Sequence, residues 1–474
     1  MKGIPHSSTI SQLIEERDKM TAPLKKNDDI TLEITGMSSE GSGVGRHEGF
    51  AVFVPYSIEG ETVSAHIIKV TGSYAVGKLT EVLSPSPKRA VPSCPSFYKC
   101  GGCSLMHMSY DAQLEFKRRA VRDALERIGG FSGVEVKPVI GMDEPFRYRN
   151  KGSFPFSIVD GKPAWGLYAA RSHRLIGCGD CVIERGEAIL AAEAVLKWAE
   201  GNSVPIYDET TGNGILRHVV TRSLTGGEAV CVVTTGKLPH REELIDLIRE
   251  ALPNVRSIVH NINPKNTNVI CGSEYRLLRG DETVCQRIGG LEFEVSQESF
   301  LQVNPVQTEK LYSLAVEGLE LKNGMTAADI FCGIGTMTLM LAKKAAHVVG
   351  IEYVEKAVGD ARRNAERNGI DNAEFFAGAA EDILPRLIAD GSRFDRVLLD
   401  PPRKGAEPQV LEAIAASGAD RIAYVSCSPA TLARDLKLLC TKGYLIDSVQ
   451  PVDMFPQTGH CEVVVSMSRV GSKL

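Results

Sequence analysis

The sequence predicts an α/β protein: a doubly wound, Rossmann-like sheet over its last third, preceded by a small β-barrel and a central α+β region. Three observations carry that prediction. From about residue 326, strand-like and helical runs alternate as "AADIFCGIGTMTLMLAKKA", "HVVGIE", "VEKAVGDARRNAERNG", "AEFFAG", "FDRVLLD" and "RIAYVSC", the order that builds a parallel sheet with helices on both faces. From Asp28 the period is two: Ile30, Leu32 and Ile34 alternate with polar residues, and "ETVSAHIIKV" sets Val63, Ala65 and Ile67 on one face. Glycine turns in "EGSGVGRHEG" and "TGSYAVG" separate these strands, as in a barrel of the oligonucleotide-binding style. Between the two, "YDAQLEFKRRAVRDALERIGG" places Leu114, Val121, Leu125 and Ile128 on one helical face and stops at Gly129 and Gly130.

The expected divisions are an extension over residues 1–22 with no assigned role, the barrel over 23–86, a central domain over 87–295 opened by the linker "SPSPKRAVPSCP", and the sheet domain over 296–474. The helix at 109–130 is expected to pack on that last domain. Its Lys117, Arg118 and Arg122 read as a solvated face, unless something anionic lies opposite. In "FRYRNKGSFPF", Arg147, Arg149 and Lys151 interleave with Phe146, Tyr148 and Phe154, a pattern that suits either single-stranded RNA or an edge strand with its arginines reaching for water.

A chain of 474 residues has room for two to four domains. No apolar run approaches the roughly 20 residues of a membrane span, and the N-terminus lacks the apolar core of a signal peptide. The expected compartment is the cytoplasm, so the 12 cysteines read as thiols or metal ligands and not as a disulfide framework. The formal net charge of -5 exerts no global pull on nucleic acid, so RNA contact rests on local basic surface. No obligate protein partner is indicated.

Chemistry concentrates at predicted strand ends. "DIFCGIGTMT" turns tightly at Gly333 and Gly335, and Glu352 closes the next strand where an acidic side chain accepts ribose hydroxyls, so the pair marks a nucleoside-type cofactor. In "LLDPPRKG", two prolines stiffen the loop behind Asp400. In "YVSCSP", Ser428 and Pro429 are a helix cap and first turn, so Cys427 stands before a positive helix end that favours its thiolate. "QTGHCEVVVSMSR" starts a strand returning to the same sheet with Glu462, a carboxylate suited to general-base work beside Cys427. Cys94, Cys100 and Cys103 form a C-x5-C-x2-C group, with a fourth thiol available from Cys178 or Cys181. Such a set suits a metal centre, either an iron-sulfur cluster or structural zinc through Cys100, Cys103, Cys178 and Cys181.

Taken in order, "LQVN", "DIFCGIGT", "LLDPPRKG", "VSCSP", "HCE" and the cysteine group resemble the RNA 5-methyluridine (uracil-5-) methyltransferase family. They look most like its branch with a TRAM domain and a [4Fe-4S] cluster, which acts on 23S rRNA. The resemblance covers nearly everything after residue 22. It implies a class I methyltransferase domain behind a TRAM barrel and an iron-sulfur domain, with methyl transfer from S-adenosylmethionine to carbon 5 of a uridine through a covalent cysteine adduct. It further implies S-adenosylmethionine contacts by Gln302, Phe331, Glu352 and Asp400, catalysis by Cys427 and Glu462, and cluster ligation by Cys94, Cys100, Cys103 and Cys181, with Cys178 a spectator. Cys461 stands where the family often has valine, and "AGAAED" offers no match for adenine recognition. The competing readings are a tRNA uracil-5 or RNA cytosine-5 methyltransferase, a nicotinamide dehydrogenase on the same sheet, and a non-catalytic RNA-binding protein.

Overall fold

The computed structural model describes residues 23–471. The chain forms two compact units, one running to Pro92 and including Ser104–Ser109, the other made of Ser93–Cys103 and everything from Tyr110 onward. The 1–22 extension lies outside the described residues.

In the first unit β1 (Asp29–Met37), β2 (Gly43–His47), β3 (Phe50–Val54), β4 (Thr62–Val70) and β5 (Tyr74–Ser84) close a barrel in the order β1-β2-β3-β5-β4. The period-two residues fill it: Leu32, Ile34, Val63, Ala65 and Ile67 are all buried. Each fully buried Val, Leu or Ile contributes roughly 1.5–3 kcal/mol. Gly45 sits where a Cβ would meet the Glu33 carbonyl at 2.3 Å, so β1 and β2 can pair only through a glycine there. The predicted linker has no regular structure, yet it is tied down. Arg89 Nε and Nη2 donate to the two oxygens of the wholly buried Glu61 at 2.5 and 2.7 Å. Burial raises the Glu61 carboxyl, but Arg89 and the amides of Ile58 and Ser86 together hold it below its ordinary value. Removing one partner of such a pair leaves a bare buried charge. Arg89→Met is therefore expected to destabilise the barrel by about 3 kcal/mol, read as faster amide exchange across β1–β5.

The second unit starts with a sheet of order β12-β11-β10-β9-β6-β7-β8, built from β6 (Lys151–Val159), β7 (Lys162–Tyr168), β8 (Leu175–Gly177), β9 (Leu216–Leu224), β10 (Gly227–Thr234), β11 (Val255–Ile262) and β12 (Glu274–Gly280). The helix Gly186–Gly201 covers one face with the fully buried Trp198. The hairpin β13 (Val284–Ile288) and β14 (Leu291–Val295), placed by sequence with the central domain, shares its core with the last sheet: Phe293 and Val295 pack in one cluster with Leu311 and Ala327.

That last sheet comprises β15 (Thr326–Ile330), β16 (His347–Glu352), β17 (Ala373–Ala377), β18 (Arg396–Leu399), β19 (Arg421–Ser426), β20 (Tyr444–Val452) and β21 (Glu462–Arg469), ordered β17-β16-β15-β18-β19-β21-β20. Successive residues alternate between two buried faces: Leu398, Ala423 and Val425 enter one core, Leu399, Ile422 and Tyr424 the other. Such double burial is why these strands read as continuous apolar runs. The five strands β15–β19 run parallel, but β21 inserts antiparallel between β19 and β20.

Three sequence readings are corrected. The helix Tyr110–Ala124 continues as a π-turn, Leu125–Gly129. Val121 and Leu125 join the core with Leu432 and Leu436 of the helix Pro429–Thr441, while the wider turn leaves Ile128 46% exposed. Lys117, assigned to a solvated face, is fully buried against Asp453. In "FRYRNKGSFPF" the rings of Tyr148 and Phe154 are core residues, so they are not available to stack on bases. Arg147 pairs with Asp180 and Arg149 with Glu184, and β6 is an interior strand between β9 and β7.

Candidate functional site

The residues picked out by sequence meet at one edge of the β15–β21 sheet, because short turn motifs end each strand there. Ile330 lies opposite Ile351 and Leu399, so the next residue, Phe331, is flanked by Glu352 and Asp400. Phe331 has φ +74°, a conformation that costs a non-glycine residue about 1–3 kcal/mol and persists only where surroundings enforce it. Its amide and that of Cys332 both donate to the Ile351 carbonyl, at 2.8 and 3.0 Å. Gly333 donates to Glu352 Oε2 at 3.1 Å and Val354 to Oε1 at 2.8 Å, so the Glu352 carboxylate is aimed by the glycine loop and by its own turn. Gln302 is buried in the segment before the helix Pro305–Gly318, and its carbonyl accepts from Asn150 Nδ2 at 3.4 Å.

Cys427 and Glu462 face each other by register. Ser426 pairs with Val463 in the antiparallel β19–β21 ladder, so the residue after Ser426 and the residue before Val463 stand across from one another. The turn is held by Ser426 Oγ, which accepts from the Ser428 amide at 3.1 Å, and Ser428 caps the helix Pro429–Thr441 as the sequence indicated. Glu462 is 3% exposed, and its Oε2 is buried without a hydrogen-bond partner among the described residues.

Charge at this edge departs from expectation. The helix start was expected to favour the Cys427 thiolate, but burial, followed by the Glu462 and Asp400 carboxylates, pushes the thiol up to about 11, with Arg403 opposing. Burial and then Asp400 push Glu462 up to about 8, and burial and then Asp329 push Asp400 up to about 7. A half-exposed helix end cannot offset the loss of solvent beside two acids. Neutralising one acid should release the thiol: in Glu462→Gln more Cys427 is thiolate at pH 8, so its alkylation by iodoacetamide is expected to run several-fold faster than in the parent.

A family model described as tRNA (Uracil-5-)-methyltransferase matches residues 278–470, and a TRAM domain model matches residues 23–80. Proteins described as uncharacterized RNA methyltransferases are 45% identical, in Halalkalibacterium halodurans over 94% of this chain and 98% of the relative, and in Clostridium tetani over 96% and 99%. The chain belongs to the RNA uracil-5 methyltransferase family. Among solved structures, the tRNA (uracil-54, C5)-methyltransferase of Pyrococcus abyssi, in complex with S-adenosyl-L-homocysteine, superposes with TM-score 0.74 at 28% identity over 92% of this chain and 99% of that one. This methyltransferase is therefore S-adenosylmethionine-dependent and acts on RNA.

Two residues of this methyltransferase site escaped the sequence reading. Asp329 is fully buried, accepts from Thr338 Oγ1 at 2.6 Å and leaves Oδ1 without a partner among the described residues; burial pushes its carboxyl up to about 7. It hides inside an apolar strand, where a lone aspartate carries no pattern. Arg403 follows the two prolines and is the cation that lowers both Cys427 and Glu462. Unbalanced acids and an orphaned carboxylate oxygen suit a cationic ligand with hydrogen-bond donors, which S-adenosylmethionine is.

The cysteines of the methyltransferase converge elsewhere. Cys94, Cys100, Cys103, Cys178 and Cys181 line one apolar cavity of about 420 Å³, open solvent at its mouth included. Cys178 thus shares the cavity with the four expected ligands. Burial raises the thiols of Cys94, Cys100 and Cys103, and the charge of Cys181 raises each further, so their sulfurs lie within electrostatic reach of one another. Among the described residues no group of three or more His, Cys, Asp or Glu side chains is placed to hold a metal ion. An all-thiol donor set suits an iron-sulfur cluster and equally a four-cysteine zinc site.

Among the described residues no helix is long and apolar enough to cross a membrane.

Proposed function

We propose that this enzyme methylates carbon 5 of a uridine in 23S rRNA, in the cytoplasm, through a covalent bond between Cys427 and the base. The observation that carries this reading is the cross-strand placement of Cys427 and Glu462 beside Asp400. S-adenosylmethionine supplies an electrophilic methyl group on a sulfonium. Gln302, Phe331, Glu352 and Asp400 hold it, with Glu352 oriented by Gly333 and Val354. The Cys427 thiolate adds to carbon 6 of uracil, and the displaced electron pair makes an enolate whose carbon 5 would take the methyl group as the methyl–sulfur bond of the sulfonium breaks, leaving neutral S-adenosylhomocysteine. Glu462 removes the carbon 5 proton, the enolate re-forms and the carbon 6–sulfur bond breaks, returning the thiolate. The target base must leave its stack first, at a cost of a few kcal/mol.

Incubation with 5-fluorouridine RNA and the methyl donor tests the reaction. Fluorine replaces the proton that Glu462 removes, so a denaturation-resistant adduct through Cys427 is expected, and its absence would sink the uracil-5 mechanism. A tRNA target has support from the archaeal structure, whose protein acts on tRNA. Mapping 5-methyluridine in both RNAs with and without the gene decides between them: 23S rRNA is expected to lose a site and tRNA to lose none.

We further propose that Cys94, Cys100, Cys103 and Cys181 hold a [4Fe-4S] cluster, supported by the one apolar cavity that these thiols line together. Uracil-5 methylation needs no redox step, so its role is structural or RNA-shaping. Anaerobically purified protein is expected to contain iron and sulfide with broad visible absorption, and Cys103→Ser to lose both together with folding stability or RNA affinity. Zinc in place of iron would overturn the assignment.

A further inference from the structure

We propose that the helix Tyr110–Ala124 is a clamp that positions Glu462 for proton removal, with Lys117 and Asp453 as its central positioning residues. The inference rests on the reading of Glu462 as the base. Glu462 opens β21 and is reached through the irregular segment 453–461, which a chain would ordinarily leave loose. A base acts only within hydrogen-bond reach of its proton, so something must hold that segment.

The helix holds it at three successive turns. Tyr110 Oη donates to Asp453 Oδ2 at 2.8 Å. Gln113 Nε2 donates to Gln457 Oε1, and the Gln457 amide donates back to Gln113 Oε1, both at 3.0 Å, fixing Gln457 at φ +70°. Lys117 Nζ donates to Asp453 Oδ1 at 2.5 Å and to the Phe455 carbonyl at 3.0 Å. Asp453 follows Val452, the cross-strand partner of Glu462, so a grip on Asp453 is a grip on the other side of the pair that carries the base. The grip extends toward the cofactor. Asn304 Nδ2 donates to the Met454 carbonyl at 3.1 Å and Gln307 Nε2 to the Asp453 carbonyl at 3.0 Å, from the segment that begins with Gln302.

The Lys117 and Asp453 side chains are both 0% exposed. Burying an ion pair so completely is costly, and apolar residues of similar size would serve stability as well. What the pair adds is direction: an ammonium satisfied by one carboxylate and one carbonyl permits a single placement of the loop.

The clamp predicts a defect in one step. With Lys117→Met, addition and methyl transfer proceed but proton removal slows, so methylated RNA stays bonded to Cys427. On ordinary uridine RNA we expect kcat to fall about 100-fold, the loss a 1 Å misplacement produces, with KM for S-adenosylmethionine unchanged and a denaturation-resistant RNA adduct absent from the parent. Two further variants guard against simple unfolding. Tyr110→Phe removes one hydroxyl without baring a charge, and Lys117→Met with Asp453→Leu replaces the pair by apolar groups that pack. Each also strips a hydrogen-bond partner, in Tyr110→Phe from the Met142 amide and in the double variant from the Tyr110 hydroxyl, so both are expected to fold with a modestly lowered Tm and to accumulate the adduct. Folded variants with parent turnover, or with slow turnover and no adduct, would overturn the clamp. Glu462→Gln, run beside them, separates the failures: adduct with Glu462→Gln alone overturns the clamp, and adduct with neither overturns the base assignment and the clamp with it.

Discussion

Cys427→Ser is expected to lower kcat by about 10⁴-fold or more, the scale on which deleting a nucleophile abolishes catalysis. An alcohol at this position has no base close enough in strength to ionise it, and burial beside Glu462 and Asp400, which already pushes the thiol up to about 11, acts on an alkoxide in the same direction. The loss corresponds to about 5.4 kcal/mol of barrier. Affinity for S-adenosylmethionine should stay within about twofold of the parent, because the glycine loop and Glu352 lie on other strands and keep their own hydrogen bonds. The 5-fluorouridine adduct should vanish. Methylation at the parent rate by this variant would end the covalent mechanism.

Glu462→Gln is expected to stall the cycle after methyl transfer, lowering turnover by 10²–10⁴-fold, the range of a positioned general base. The amide matches the carboxylate in shape but cannot take the carbon 5 proton. The first methyl group should still be transferred, so the diagnostic is methylated RNA that stays attached to protein on ordinary uridine substrate. Acidity has a definite sign here. Burial and then Asp400 hold the Glu462 carboxyl near 8, and the base works only when ionised. The thiol too is reactive only as its anion. The thiol requirement makes kcat/KM of the parent climb as pH rises from 7 through 8, the base requirement makes kcat climb over the same interval, and flat profiles there would contradict the assignment.

Much of this site was legible because its pieces are local. A glycine loop, two prolines behind an aspartate, and a serine-proline helix start each dictate backbone within a few residues, and each closes a strand of the same sheet. The barrel was legible for the same reason, through the alternation of Leu32 and Ile34, and of Val63, Ala65 and Ile67, with the residues between them. Lys117 was not. Helical periodicity sets a lysine on a polar stripe, and only a carboxylate more than 300 residues away explains its burial. The arginines and rings of "FRYRNKGSFPF" misled in the same manner, since Asp180 and Glu184, which neutralise the arginines, arrive from another turn of the chain.

The sequence by itself determined which chemistry sits at the strand ends, because turn geometry and side-chain identity are properties of short segments. Tertiary structure decided the rest. The antiparallel insertion of β21 set Glu462 opposite Cys427, burial and the convergence of Glu462 and Asp400 set how acidic the thiol is, and the packing of the helix Tyr110–Ala124 set what holds the base. Each depends on charges and hydrogen bonds between residues distant in the chain, whose strength is fixed by burial and separation, and neither quantity exists until the chain has folded.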